Sequence, residues 1–160
     1  MEQLFLDCDG VLADFNAGSE AVFGIHPRRY EDEHGTAKFW ATLHAHPKFY
    51  ENLPVMHDGY TLYQAVAHLN PIILTGCPLG GWAQEQKIQW RNKNFPGVPM
   101  ITTLSKDKRS HAKPGDILID DYLKYRHLWE DMGGVFIHHK SAKQSLEELW
   151  NRFPSMRKEF

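Results

Sequence analysis

Cysteine is scarce in this chain of 160 residues, which contains only Cys8 and Cys77. Two cysteines are too few for a disulfide scaffold, and such scarcity is typical of a reducing compartment. Long apolar runs are also lacking, because no stretch approaches the roughly 18 apolar residues that a membrane helix needs. The segment MEQLFLDCDG has neither the basic start nor the cleavable apolar region of a signal peptide. We therefore expect a cytoplasmic protein without membrane association, with both cysteines as small buried residues.

A surplus of positive charge is missing as well. The formal net charge is -2, from 18 basic and 20 acidic side chains. This balance argues against a general electrostatic attraction to nucleic acid, so an anionic substrate must be held by a local group of side chains. The histidine pairs His44 and His46, and His138 and His139, lack the spacing of zinc sites and are interpreted as surface or packing residues.

Five short apolar runs punctuate a chain whose composition, 42% hydrophobic and 24% charged, is that of one ordinary globular domain. They lack strict alternation, which is typical of strands buried on both faces of a parallel sheet. The runs are QLFLDC (3–8), PIILTG (71–76), MITTL (100–104), DILIDD (116–121) and GVFIHH (134–139). Helix-like segments at 59–69, 80–95, 122–132 and 141–153 lie between or after them. This order predicts a doubly wound α/β fold with a five-stranded, mainly parallel sheet.

The region 14–57 interrupts this alternation. It is rich in aromatic residues and contains the helix-like pieces FNAGSEAVFG and TAKFWATLHAH, with no convincing strand. Ligands of α/β sheets bind beyond the carboxyl ends of the strands, so an insertion after the first strand should cover that crevice. We predict a core domain of residues 1–13 and 58–160 with a small helical cap of residues 14–57.

Two carboxylates, Asp7 and Asp9, follow the first apolar run, with Gly10 directly after them. Side chains at positions i and i+2 of a strand point the same way, so the pair should converge on one site. At about 4 Å the two charges repel by roughly 4 kcal/mol at an effective dielectric near 20. A divalent cation, a lysine or a shared proton would compensate this repulsion; the alternative is a pair of solvated turn residues.

Polar groups also end the later runs. Thr75 and Gly76 close IILTG and could hold phosphate oxygens through a hydroxyl and backbone N–H groups. Asp120 and Asp121 close ILIDD, and oxygen-only ligands suit Mg²⁺ better than zinc. The segment SKDKRSHAKPG between them carries three lysines that could neutralise charge or could be solvated loop residues. They are Lys106, Lys108 and Lys113.

The order DxD, Thr, Lys, DD resembles that of the haloacid dehalogenase (HAD) superfamily of phosphatases, along nearly the whole sheet domain. The resemblance implies a HAD-like, Rossmannoid three-layer fold and an aspartyl-phosphate mechanism that depends on Mg²⁺. Asp7 would be the nucleophile and Asp9 the general acid and base. By the same resemblance, Thr75 binds phosphate and the loop lysine neutralises charge, with Lys108 favoured over Lys106 and Lys113. The metal ligands would be Asp7, the Asp9 carbonyl oxygen, Asp120 and Asp121, where one of the last two binds the metal directly and the other through water or the lysine.

A second likeness lies in FWATLHAHPKFYENLPVMHDGYTLYQAV (39–66), with LTGCP, SKDK and LIDD. These segments look like the 5'(3')-deoxyribonucleotidases, the type-C 5'-nucleotidases, which dephosphorylate deoxyribonucleoside monophosphates. The likeness implies that Phe15, Phe39 and Trp40 surround the base, since aromatic faces stack bases; the alternative is that these rings pack the cap core. The chain departs from the family after Thr75, where a serine-bearing loop is expected, and at Lys106, where relatives have arginine.

Other functions stay open at this stage. The substrate could be another small phosphorylated metabolite or a 3'-phosphate end of nucleic acid, although a cap favours small molecules. A non-catalytic phosphoacceptor, like a response-regulator receiver domain, also gathers acidic residues, threonine and lysine at strand ends. In a receiver the lysine comes last along the chain, whereas here Asp120 and Asp121 do. We expect a small phosphorylated substrate as the partner and no strong nucleic-acid binding, and the sequence leaves a homodimer open.

Overall fold

A five-stranded sheet forms the centre of the computed structural model, which describes residues 2–159. Its strands are β1 (Leu4–Leu6), β2 (Ile72–Gly76), β3 (Met100–Thr103), β4 (Ile117–Asp120) and β5 (Val135–His138). Their order is β3-β2-β1-β4-β5, and every neighbouring pair is parallel. Each predicted run contains one strand, so the five-stranded parallel α/β sheet is confirmed. β1 is central, and the carboxyl ends of β2 and β4 flank its own.

Apolar side chains cover both faces of the sheet, as expected for parallel strands. Leu4, Leu6 and Ile119 belong to the larger hydrophobic cluster, whereas Phe5 and Leu118 belong to a smaller one on the opposite face. Neighbouring residues of one strand thus enter different cores. This alternation produces the three-layer arrangement that the sequence predicted.

Four helices belong to the core: one precedes β2, one connects β2 to β3, one connects β4 to β5, and one follows β5. They are α4 (Gly59–Val66), α5 (Gln84–Asn94), α6 (Arg126–Asp131) and α7 (Ala142–Arg152). Each lies inside a predicted helical segment but is shorter. α5 begins late because Gly80 and Gly81 have φ values of +103° and +72°, which a helix does not accommodate. The turn from Asp121 to Tyr125 likewise delays α6.

Three further helices lie between β1 and α4, in the region predicted to be a cap. They are α1 (Phe15–Phe23), α2 (Pro27–His34) and α3 (Thr36–Ala45). Asp14 caps α1 by accepting a hydrogen bond from the backbone N–H of Ala17. α2 was not predicted, because its sequence PRRYEDEH is polar almost throughout; Pro27 at its first turn is its main local signal.

The two chain crossings between cap and core lie side by side. Asp14 donates its backbone N–H to Pro54 at 2.8 Å, and Met56 donates to Leu12 at 2.7 Å. The chain therefore enters and leaves the region of α1 to α3 through two segments that are hydrogen-bonded to each other. Within residues 2–159, no helix has the length and apolar character required to cross a bilayer.

Candidate active site

Asp7 lies at the carboxyl end of β1, where its backbone N–H still bonds to Ile119 of β4. Its carboxylate accepts a hydrogen bond from Lys108 Nζ at 2.8 Å. The same Nζ donates to Asp120 Oδ2 at 2.8 Å, at the end of β4. All three side chains are buried. One lysine therefore bridges carboxylates from two neighbouring strands.

The 3₁₀ helix Ser105–His111 after β3 carries Lys108 into this position. Of the three candidate lysines, only Lys108, which the resemblance favoured, reaches Asp7 and Asp120 among the contacts described. Lys106 is exposed. Lys113 instead pairs with Asp116 at 2.7 Å, near the opposite end of β4.

Asp121 completes a cluster of carboxylates. Oxygen atoms from Asp7, Asp120 and Asp121 all lie within 4.8 Å of one another. Gly10 makes room for this cluster, because a Cβ on it would collide with the Asp121 carboxylate. Its φ of +83° also favours glycine. The turn after β1 is thus packed directly against Asp121, the residue that follows β4.

Asp9 is paired with a second lysine, Lys87, which the sequence pattern did not indicate. Lys87 Nζ donates to Asp9 Oδ2 at 2.7 Å and to Thr75 Oγ1 at 2.8 Å. A third hydrogen bond reaches the carbonyl oxygen of Gly76 at 3.0 Å. The site therefore has two lysines, one for each carboxylate of the DxD pair. The Asp9 side chain lies outside the three-residue cluster of described carboxylates, and its carbonyl oxygen stays a predicted ligand.

A weak sequence signal for Lys87 exists. It lies three residues before Trp90 in α5, and both side chains are buried. A lysine on the same helix face as a tryptophan occupies a position where an apolar residue would normally pack. In a helix this polar, the apolar pattern is too faint to show that Lys87 faces inward.

The pKa values of the two carboxylates of the DxD pair are shifted in opposite directions. Burial disfavours the charged form of Asp7, but the charge and hydrogen bond of Lys108 outweigh it and lower the pKa of Asp7. Burial raises the pKa of Asp9, and the charge of Lys87 offsets only part of that effect. Environments that separate two carboxyl pKa values in this way provide a base and an acid in one site.

The acidic cluster fits a divalent cation. With all six side chains ionised, the carboxylates of Asp7, Asp9, Asp120 and Asp121 and the ammonium groups of Lys87 and Lys108 have a formal net charge of -2. Burial and, after it, the charge of Asp7 raise the pKa values of Asp120 and Asp121, and a bound cation would oppose both effects. A ligand set made only of oxygen atoms is the kind that Mg²⁺ prefers.

The predicted aromatic pocket lies within the cap. Phe15 is half-buried, and its ring centroid lies 6.3 Å from those of both Phe39 and Trp40 and 5.6 Å from that of Phe49. Phe39 is buried, and Trp40 is half-buried. These contacts are those of rings packed in or against the larger hydrophobic cluster, so the rings contribute to the core, as in the alternative that the sequence left open. Phe15 and Trp40 keep some exposed surface that a ligand could contact.

No family model matches the chain, and no curated protein matches its sequence. Solved structures do. A hydrolase from Streptococcus pneumoniae TIGR4 has a TM-score of 0.55 at 11% identity, over 96% of this chain and 98% of the other. A HAD family hydrolase from Deinococcus radiodurans R1, with bound phosphate and sodium, has a TM-score of 0.50 at 10% identity, over 85% and 79%. At such identities the likeness concerns the fold, which is that of the HAD-family hydrolases.

Proposed function

We propose that the protein is a Mg²⁺-dependent phosphomonoesterase that works through an aspartyl-phosphate. The observation that carries this proposal is the pairing of each DxD carboxylate with its own lysine. Lys108 bridges Asp7 and Asp120, while Lys87 joins Asp9 to Thr75. A nucleophile and a general acid need different protonation states at one pH, and separate partners allow this.

In the first step, a carboxylate oxygen of Asp7 attacks phosphorus and forms a P–O bond. The bond from phosphorus to the leaving oxygen breaks, and Asp9 transfers its proton to that oxygen. Lys108 stabilises the negative charge on the transferring phosphoryl oxygens. The Thr75 hydroxyl and backbone N–H groups after β2 would bind these oxygens as well.

In the second step, water attacks the aspartyl-phosphate. Asp9, now a carboxylate, accepts a proton from this water as the new P–O bond forms. The P–O bond to Asp7 breaks, so that Asp7 is regenerated as a carboxylate beside Lys108. Inorganic phosphate then leaves the site. Asp9 is protonated again and ready for the next turnover.

Asp7, Asp120 and Asp121 are the side chains that would hold Mg²⁺, with the Asp9 carbonyl oxygen as a further predicted ligand. The bound cation would supply positive charge that reduces repulsion between Asp7 and the substrate phosphate. The Deinococcus radiodurans hydrolase with bound phosphate and sodium supports the view that this fold accommodates an anion and a cation together.

The proposed substrates are deoxyribonucleoside monophosphates, as in the 5'(3')-deoxyribonucleotidases. The partly exposed rings of Phe15 and Trp40 in the cap support this class, because a base could stack there. Another small phosphorylated metabolite would use the same catalytic groups and differ only in its cap contacts. A cytoplasmic location belongs to the same proposal and is supported by two buried free cysteines.

Phosphate release from 4-nitrophenyl phosphate tests the reaction. We expect turnover with Mg²⁺, loss of turnover in EDTA, and a fall of at least about 10³-fold in Asp7→Asn. Asp32→Asn, an exposed aspartate of α2, is the matched control and should retain activity. A non-catalytic phosphoacceptor would bind a phosphoryl group without releasing phosphate. Undiminished activity in Asp7→Asn would overturn the nucleophile assignment.

A substrate screen tests the nucleotide class. Deoxyribonucleoside monophosphates, sugar phosphates and 3'-phosphorylated oligonucleotides are compared by kcat/KM under the same conditions. We expect the nucleotides to be hydrolysed fastest. A profile dominated by sugar phosphates or oligonucleotides would remove the nucleotidase assignment and leave the phosphatase assignment intact.

A further inference from the structure

A cap segment, residues 49–53, is attached directly to core helix α5. The backbone N–H of Tyr50 donates to Gln86 Oε1 at 2.8 Å. Trp90 Nε1 donates to the carbonyl oxygen of Leu53 at 2.8 Å. Between these two contacts, Lys87 Nζ lies 4.5 Å from the centroid of the Tyr50 ring. Neighbouring positions on one face of α5 therefore hold the backbone and one ring of this segment.

The Lys87 ammonium is surrounded on all sides. Its three hydrogen bonds go to Asp9, Thr75 and Gly76 of the core, and the Tyr50 ring from the cap covers it. Lys87 is only 2% exposed, so water cannot replace a lost contact easily. A cation over an aromatic face is attracted most strongly in such a desolvated position. The ring of Tyr50 therefore helps to determine where the ammonium group lies.

Asp9 depends on this one ammonium group for its orientation. Lys87 donates to Oδ2 of Asp9, whereas Oδ1 is buried without a hydrogen-bond partner among residues 2–159. A carboxylate held by a single donor moves when that donor moves. Displacement of Lys87 would accordingly turn Asp9 away from its present position.

We infer that Tyr50 is a positioning residue, through which the cap places Lys87 and thereby the general acid Asp9. The inference rests on the proposed function, in which Asp9 protonates the leaving oxygen. By this inference, the contact between the cap and the core does more than cover the site, because it also helps to place the side chain of Asp9. Tyr50 touches Lys87 and acts on Asp9 only through it.

The leaving group distinguishes this role from a merely structural one. A 4-nitrophenolate leaves readily without a proton, whereas the alkoxide from ethyl phosphate requires protonation. We expect Tyr50→Leu to lower kcat/KM for ethyl phosphate about tenfold more than kcat/KM for 4-nitrophenyl phosphate, since kcat/KM reports the step in which the leaving group departs. Tyr50→Phe keeps the ring face and should restore the wild-type ratio of the two kcat/KM values.

Two controls complete the experiment. Tyr63→Leu removes another half-buried ring, one that packs on Phe95 at 5.4 Å, and should leave the ratio unchanged. Lys87→Met alone should already lower kcat/KM for ethyl phosphate relative to kcat/KM for 4-nitrophenyl phosphate. Adding Tyr50→Leu to Lys87→Met should not lower this ratio further. If Tyr50→Leu does not fold, Tyr50→Met fills a similar volume without a π face and is put through the same comparison.

The inference would be overturned if Tyr50→Leu or Tyr50→Met lowered kcat/KM for both substrates equally. It would also be overturned if Tyr50→Phe changed the ratio of the two kcat/KM values as much as Tyr50→Leu does. A wild-type protein that hydrolyses neither substrate would instead refute the proposed function, and the inference with it. The two failures are therefore distinguishable from wild-type turnover alone.

Discussion

The ammonium group of Lys87 lies 2.7 Å from Oδ2 of Asp9, while Asp7, two residues away, is paired with Lys108 at 2.8 Å. Two carboxylates that follow the same strand, two residues apart, thus have different cations. Both lysines are buried; burial works against their charge, but the carboxylates raise the pKa of each. Two separate ion pairs, rather than one shared charge, are consistent with the unlike roles that we propose for Asp7 and Asp9.

Removing the ammonium group in Lys87→Met should leave Asp9 without its only described hydrogen-bond donor. We expect the free energy of unfolding to fall by about 2 kcal/mol, less than for a fully buried pair, because the Asp9 side chain is 25% exposed. Urea unfolding measures this change. Lys93→Met, on an exposed position of α5, should change stability little. A loss in Lys87→Met that persists undiminished when Asp9→Asn is added would contradict this explanation.

Substitutions of Lys106, Lys108 and Lys113 should have clearly different effects on kcat and KM. Lys108→Met should lower kcat by about 10²-fold or more, because the charge that faces Asp7 and the phosphoryl oxygens is lost. Lys106→Met should act mainly on KM, since Lys106 is exposed. Lys113→Met should leave both constants within about threefold, since its partner is Asp116. Steady-state kinetics with 4-nitrophenyl phosphate decides among them, and a larger loss of kcat in Lys106→Met would exchange the assigned roles.

The pH dependence of kcat/KM should have two limbs of opposite sign. Asp7 must be ionised, and its pKa is lowered, so activity should fall only at a pH below the ordinary 3.8. Asp9 must be protonated, and its pKa is raised, so activity should fall again at a pH above 3.8. Lys87 opposes the raised pKa of Asp9. Lys87→Met should accordingly shift the upper limb to higher pH, and a shift to lower pH would contradict this assignment.

Gly10→Ala should disturb the acidic cluster, because its Cβ would collide with Asp121. We expect weaker Mg²⁺ activation, seen as a higher Mg²⁺ concentration for half-maximal phosphate release. Gly97→Ala is a matched control, since Gly97 has a φ of +81°, close to the +83° of Gly10, but nothing within 4 Å of an added Cβ. Both variants introduce backbone strain, and only Gly10→Ala should alter the Mg²⁺ requirement. Equal Mg²⁺ curves for the two variants would count against the collision.

Asp116 provides a stability test away from the catalytic groups. It is buried and accepts hydrogen bonds from the backbone N–H groups of Gln3 and Lys113 and from Lys113 Nζ. Burial alone would raise its pKa, but these bonds together lower it below 3.8. Its contribution is therefore present above pH 3.8 and lost as the pH falls through the folded-state value.

We expect Asp116→Asn to lower the free energy of unfolding by about 2 kcal/mol at pH 7, and the difference from wild type should shrink below pH 3.8. Urea unfolding at pH 7 and near pH 3 measures both values. Asp131→Asn, an exposed residue at the end of α6, should show no such dependence. A difference that is constant across the two pH values would contradict the lowered pKa of Asp116.

Several parts of the fold could be predicted because they depend on local composition. Short apolar runs such as PIILTG can be buried on both faces only in a parallel sheet, and each of the five runs contains a strand. Helix ends were predicted less well. The positive φ values of Gly80 and Gly81 postpone α5, and the polar helix α2 has no apolar periodicity that would indicate it.

The site was predicted in part for the same reason. Asp7, Thr75 and Asp120 lie at strand ends, and the ends of parallel strands meet at one edge of a sheet whatever the helices do. Lys87 lies on a helix, so its direction depends on how α5 packs against the sheet and the cap. The family resemblance favoured Lys108 over Lys106 and Lys113, but lysine spacing alone gives no such indication, because the position of each lysine depends on the path of a 3₁₀ helix.

The sequence by itself determined a parallel α/β sheet whose strand ends present the DxD, Thr and DD groups, because burial and strand alternation act over a few residues. Only the tertiary structure decided which cation faces which carboxylate, because Lys87 is 78 residues from Asp9 and Lys108 is 101 residues from Asp7. Such pairs form through the packing of helices, cap and sheet together. In the proposed mechanism these two ion pairs give Asp7 and Asp9 their separate roles, and the inferred role of Tyr50 connects the cap to the second of them.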